Sequence, residues 1–163
     1  MTPAMSAGPL DAAPESPPIV ELAALILDSY ARVVGKSLLD AGASPLERAR
    51  ALNAAPRVVL AHGTGDDPRF EYGNRQALQL FELSWAQLLA MPSRLSAESV
   101  DRAERQRLLD AVATRGYIDD YAGVRVSRSG RRFRIARATV WNLIDGAGER
   151  RSQAATFAEW TPL

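Results

Sequence analysis

Apolar positions repeat with two different periods along this chain, and the change of period divides it. Leu22, Ile26, Tyr30 and Val33, flanked by Leu25 and Leu38, follow a three-to-four residue spacing and predict a helix over Ile19–Leu39. Ser16 is placed to cap it, Pro17 and Pro18 suit its first turn, and Gly42 is placed to stop it. Its first half is apolar nearly all round, which implies burial on more than one side. Ser44, Pro45 and Glu47 form a capping box for a second helix that ends before Pro56. Val58–Ala61 and Phe70–Gly73 are short apolar strands joined by the loop HGTGDDP. Asn74 caps a helix carrying Ala77, Leu78, Leu80 and Phe81, and Ser84 with Gln87 boxes the start of Trp85–Met91. A further helix from about Ser99 to Thr114 places Val100, Ala103, Leu108, Ala111 and Val112 on one face. Asp101 with Arg105 supports its other face, and Gly116 ends it.

From Gly116 onward the pattern turns strand-like. Tyr117–Ser127, Arg131–Ile144 and Arg151–Trp160 are predicted strands, joined at Ser129–Gly130 and Asp145–Gly148 as a meander. Strands before and after a helical crossover predict an α+β fold: a five-stranded antiparallel sheet with helices on one face, plus an N-terminal helical extension. The Pro-rich segment 1–18 is expected as a disordered tail, 19–55 as the extension and 56–163 as the sheet domain.

Composition narrows the function classes. Net charge is +1, so no global field favours nucleic acid or an anionic membrane. Cysteine is absent, which excludes disulfides, thiolate nucleophiles, cysteine-ligated metals and a flavin–cysteine adduct. The apolar run Leu22–Leu27 is far shorter than the ~20 residues of a membrane span. No basic segment precedes an apolar one near the start, so a signal peptide is not expected and a cytoplasmic location is.

The strand and Asn-capped helix FEYGNRQALQLFELSW, with RLSAESVDRAERQRLL, GYIDDYAGVRVSRSGRRFRI, ATVWNLID and QAATF in that order, resembles a PAS domain. The resemblance is closer to the PAS-related MEKHLA family in its stand-alone bacterial type. It covers about residues 57–158, and SYARVVGKSLL in the first helix is also similar. It implies a domain that binds a small molecule, a cofactor or a partner protein, in a cavity between sheet and helices. It implies no particular ligand or reaction, and the cofactor is unknown.

Several residue groups are candidates for chemistry. Trp141 and Asn142, with Gln153 and Thr156, are polar or amphipathic positions among apolar strand residues; they serve an internal network or ligand contact. Arg125, Arg128, Arg131, Arg132, Arg134 and Arg137 form a cluster without an acid. It is an anion surface or a solvated edge paired with Asp119, Asp120 and Glu149. A bulge in the long strand would turn one of Arg132, Arg134 or Arg137 inward, and Arg134 is taken as a ligand candidate together with Tyr121. Asp119, Asp120 and Tyr121 would serve as acid, base and phenol if sheltered. His62 and Asn74 are read as structural, and Asp66 with Asp67 as a turn. No catalytic or metal-binding residue is assigned.

The leading expectation is a non-enzymatic sensory or ligand-binding domain. No DNA-binding or kinase segment is recognised, so its signal is expected to leave through a homodimer or partner protein on the Ile19–Leu39 helix. The alternatives are a pure protein-interaction domain with a filled core and a small enzyme using Asp119, Asp120 or Tyr121. Nucleic acid and membrane are not expected partners.

Overall fold

The computed structural model describes residues 12–97 and 102–163. The N-terminal eleven residues of the expected tail, and the expected helix start at Ser99 with Val100 and Asp101, lie outside them. Of the rest of that tail, Ala13 is buried and Glu15 pairs with Arg50 at 2.9 Å. Helix α1 spans Pro17–Val34 and ends earlier than the periodicity predicts, because Gly35 takes a left-handed φ of 89°. Ser16 precedes it in extended backbone without a side-chain cap. Helix α2 (Pro45–Ala54) carries the expected capping box. Strands β1 (Val58–His62) and β2 (Phe70–Gly73) follow. Helix α3 (Arg75–Phe81) is capped by Asn74, and α4 (Trp85–Leu89) by the Ser84–Gln87 box. A 3-10 turn at Ser93–Ser96 leads toward α5 (Arg102–Arg115).

The meander comprises β3 (Tyr117–Val126), β4 (Arg132–Ile144) and β5 (Arg150–Phe157). The last predicted strand is divided, since Glu159–Pro162 forms a separate β6 on the first half of β4. The sheet order is β2-β1-β5-β4-β3, with β6 alongside β4, so the sheet has six strands rather than five.

Helices cover both faces of the sheet, not one. Strand β1 explains why: VVLA is buried throughout, with Val58 and Leu60 turned to α3, α4 and α5, and Val59 and Ala61 turned to α1 and α2. The near-continuous apolar character of α1 has the same cause. Ala23, Ile26, Leu27 and Tyr30 lie against Trp141, Leu143 and Ala154 of the outer face. Full burial of one such large side chain stabilises by about 1.5–3 kcal/mol. The face expected to form a dimer seam is therefore largely occupied by the chain's own sheet, leaving Leu22 and Leu25 half-exposed. Ser29 fixes the register of this packing, its hydroxyl accepting from Ile144 N at 2.9 Å. Among the described residues no helix is long and apolar enough to cross a membrane.

Two register shifts of opposite sense shape the inner face. In the β3–β4 ladder Gly123 faces Ile135 while Tyr121 faces Ala138, so β4 carries one residue more there. The surplus falls at Ala136–Arg137, where Arg137 has φ 54° and β4 changes neighbour from β6 to β5. On β3 the surplus falls at Asp119–Asp120, between Ile118 opposite Val140 and Tyr121 opposite Ala138. Through the β4 bulge, Phe133 and Ile135 share the inner face with Ala138, Val140 and Asn142, and the parity of the strand changes midway.

Candidate functional site

A cavity of about 830 Å³ lies between the inner sheet face and α5, with the loop after β1 and the Ser93–Ser96 turn at its rim. Its floor is apolar: Leu60, Phe70, Ile135, Val140, Ala155 and Phe157. Leu108, Leu109 and Val112 of α5 face it from above. The volume falls within the range of ligand pockets, roughly 300–1,000 Å³.

Polar groups gather at one end. His62, Gln153 and Asn142 are successive ladder partners across β1, β5 and β4, and all three line the cavity. Gln153 Nε2 donates to Asn142 Oδ1 at 3.5 Å, and Asn142 Nδ2 donates to the Val112 carbonyl at 3.5 Å. These distances are long for amide hydrogen bonds, whose optimum is about 2.9–3.0 Å. Both amides therefore keep most of their hydrogen-bonding capacity for another partner. One ring nitrogen of His62, Nδ1, sits 2.8 Å from the Gly63 carbonyl, which fixes the ring at the strand end.

Tyr121 lies along the floor of the other half. It is buried, and its ring covers Gly123, where an added Cβ would stand 3.6 Å from the phenol oxygen. The guanidinium carbon of Arg125 is 5.9 Å from the centre of that ring. Arg125 is half-exposed by surface area although dense protein surrounds it, because the surface it shows is cavity wall. Burial lowers its pKa from the ordinary arginine value, and the Tyr121 hydroxyl opposes that shift.

The expected ligand group divides between the two faces. Asn142, Gln153 and Tyr121 line the cavity. Trp141 faces α1, its ring edge-on to Tyr30 with centroids 4.9 Å apart. Thr156 is also on the outer side, donating to the Val58 carbonyl at 2.8 Å and accepting from Arg57 Nε at 2.7 Å. Arg134 is exposed, opposite Val124 and Thr161, and does not reach the cavity. The β4 bulge exists, but Arg137 within it points outward toward Glu159 at 3.7 Å. The inward arginine is Arg125, on the neighbouring strand. The simple alternation of β3 offered that signal, since Arg125 is two residues from Gly123 and four from Tyr121. His62 was legible in the same way, two residues after the inward Leu60.

The other candidates are surface features. Asp119 and Asp120 are exposed, and Asp120 pairs with Arg107 at 2.7 Å rather than with the arginine cluster. They lack the shelter a general base needs. Arg131 pairs with Glu82 at 3.5 Å, and Asp67 with Arg94 at 2.9 Å. Among the described residues no group of acids and histidines is arranged to hold a metal ion.

The antiparallel sheet with its helices matches the fold of solved PAS-type structures. An RNA-binding light-oxygen-voltage receptor superposes with a TM-score of 0.59 at 22% identity, covering 74% of this chain and 33% of that one. The light-state dimer of the fungal blue-light photoreceptor Vivid superposes with a TM-score of 0.59 at 16% identity, covering 90% and 97%. In sequence, the homeobox-leucine zipper protein ATHB-9 of Arabidopsis thaliana is 26% identical over 156 residues. That match takes in 91% of this chain but spans only 18% of the plant protein. The MEKHLA domain is matched across residues 20–162, α1 included, and the chain belongs to the MEKHLA domain family.

Proposed function

We propose that this chain is a non-enzymatic sensory domain that holds a small molecule in the cavity under α5 and passes its occupancy to a partner or a second copy. The observation that carries this reading is the cavity itself, about 830 Å³ of apolar space ending in the under-used amides of Asn142 and Gln153. A domain built only for protein contact would fill that space with side chains, as cores normally are. Asn142 and Gln153 orient the ligand's polar edge, and Tyr121 supplies an aromatic floor. The outward route runs through β4: Asn142 faces the cavity, and its neighbour Trp141 packs on Tyr30 of α1. Leu22 and Leu25 pack in part on the outer-face core, and the area they leave exposed is the apolar surface α1 offers for association.

Native mass spectrometry of the protein purified from its own host tests the reading. The expected spectrum shows one retained small molecule per chain, lost in an Asn142→Leu/Gln153→Leu variant that still melts cooperatively. A bare chain mass, together with no binding of the neutral apolar probe N-phenyl-1-naphthylamine, would overturn it.

A further inference from the structure

The amides and apolar floor say nothing about the charge of the ligand, but Arg125 does. It stands opposite Phe133 in the β3–β4 ladder, which puts it on the inner face. Its guanidinium turns back over the Tyr121 ring into the cavity. Two other arginines nearby have acid partners: Arg94 has Asp67, and Arg107 has Glu104 and Asp120. Arg125 makes no ion pair among the described residues; its interaction is with the neutral Tyr121 phenol. A guanidinium stays protonated at any physiological pH, and one enclosed by protein needs a compensating anion. The rim adds to the imbalance. Once Arg94 and Asp67 cancel, Arg105, Arg125 and Arg150 face the cavity against Asp66.

We propose that the ligand is an organic anion whose carboxylate or phosphate docks on the Arg125 guanidinium, while its body lies over the apolar floor toward Asn142. The inference rests on the cavity-binding reading above and adds the sign and position of the ligand's charge. The strand sets the ligand's length as well. Tyr121 faces Ala138, and Asn142 lies four residues further along β4. At ~3.3 Å per residue that is about 13 Å, so a ligand touching both ends is longer than a two- or three-carbon acid.

The test compares two fluorescent probes of one shape on the full chain at fixed ionic strength: anionic 8-anilinonaphthalene-1-sulfonate and neutral N-phenyl-1-naphthylamine. Both are expected to bind one per chain, the anion about tenfold more tightly, the worth of one charge-assisted hydrogen bond. Arg125→Met is expected to remove that preference and leave the neutral probe's affinity unchanged. Arg134→Met, a surface control, is expected to change neither. Arg125→Lys keeps the charge and is expected to keep part of the preference, which guards against a poorly folded Met variant. Displacement of the sulfonate by phenyl phosphate rather than phenylacetate identifies a phosphate ligand, and the reverse a carboxylate. Equal affinity for the two probes in the parent, or a preference that survives Arg125→Met, overturns the proposal while the cavity reading stands. Failure of both probes to bind overturns the cavity reading and this inference with it.

Discussion

Trp141 and Asn142 are consecutive residues of β4 that serve opposite faces of one sheet. The indole meets Tyr30 edge-on at 4.9 Å beneath α1, while the amide reaches the cavity beneath α5. The cavity wall and the seat of α1 are therefore one residue apart on the same strand.

That seat carries much of the attachment of α1. Trp141 is fully buried, and its ring fills the space between Tyr30 and the sheet. Trp141→Ala is expected to destabilise the chain by about 3–5 kcal/mol through lost burial and a residual cavity. Trp141→Phe should cost less than half as much. It keeps most of the ring and removes an indole N–H that has no hydrogen-bond partner among the described residues. Urea denaturation of the two variants checks the ordering, and equal losses would contradict this account of the contact.

The bulge at Arg137 decides which of the two residues faces the cavity. Its φ of 54° disfavours a side chain by roughly 1–2 kcal/mol, whereas glycine adopts it freely. The side chain itself is 80% exposed and its pairing with Glu159 is loose, so little is lost with it. Arg137→Gly is expected to be neutral or to stabilise by up to about 1 kcal/mol, after glycine's greater unfolded-state entropy is set against the relieved strain. Arg137→Val, β-branched at the same φ, is expected to destabilise. Deleting Arg137 removes the surplus residue and brings Phe133, Ile135, Ala138, Val140 and Asn142 into unbroken alternation on the inner face, so Asn142 still faces the cavity and Trp141 still faces α1. The deletion chain should therefore keep its binding of the neutral naphthylamine probe, and loss of that binding in a chain that retains helix and strand by circular dichroism would contradict this account of the bulge.

This residue also marks the limit of what was legible in the sequence. The elements, two capping boxes and the Asn74 cap were readable because each depends on residues within one turn of one another. Asn142, Gln153 and Tyr121 were recognisable as polar or amphipathic groups in apolar strands. Their grouping with Trp141 and Thr156 failed because parity along β4 depends on how β3, β5 and β6 pair with it, which is long-range information. The role of α1 was hidden for a related reason. An all-round apolar helix declares that it will be buried, but not whether its own sheet or another chain covers it.

Glu82 gives the chain an acid-dependent clasp. It ends α3 at φ 61° and accepts from both the Ser127 hydroxyl at 2.6 Å and the Ser129 backbone N at 3.1 Å, with the Ser129 hydroxyl on the same oxygen. These hydrogen bonds, with a smaller contribution from Arg131, pull its pKa from 4.5 down to about 2. A carboxylate whose folded pKa is depressed stabilises the fold above its unfolded pKa and loses that effect as pH falls through the folded value. The stabilisation is thus complete above the 4.5 reference and disappears between there and about 2. Glu82→Gln removes the titration. The difference in urea midpoint between parent and variant is expected to be constant above that window and to shrink steadily within it. A difference that stays constant down to the bottom of the window would show that the carboxylate's charge is not what holds the β3–β4 turn to α3.

Asn74 joins three elements through one buried amide, and its chemistry tests whether they fold as a unit. Oδ1 accepts from Ala77 N at 3.1 Å, capping α3, and from Val59 N at 3.0 Å in β1. Nδ2 donates to the Leu52 carbonyl of α2 at 3.1 Å and to the Arg57 carbonyl at 2.8 Å. Asn74→Ala leaves these buried backbone groups without partners at about 1–3 kcal/mol for each one that water cannot reach, and a loss of roughly 3–4 kcal/mol is expected. Asn74→Asp separates the two halves of the role. It keeps the acceptor but places a second oxygen against two carbonyls, so the ionised side chain is repelled and desolvated and its folded pKa must rise. A raised acid pKa destabilises above that pKa and relents below it, because the protonated carboxyl again donates. Asn74→Asp is therefore expected to be at least as unstable as Asn74→Ala at neutral pH, and to recover against it as pH is lowered below about 5. Equal stability of Asn74→Asp and the parent at neutral pH would mean that only the accepting oxygen, shared by α3 and β1, matters, and that α2 is held to the sheet by apolar contact alone.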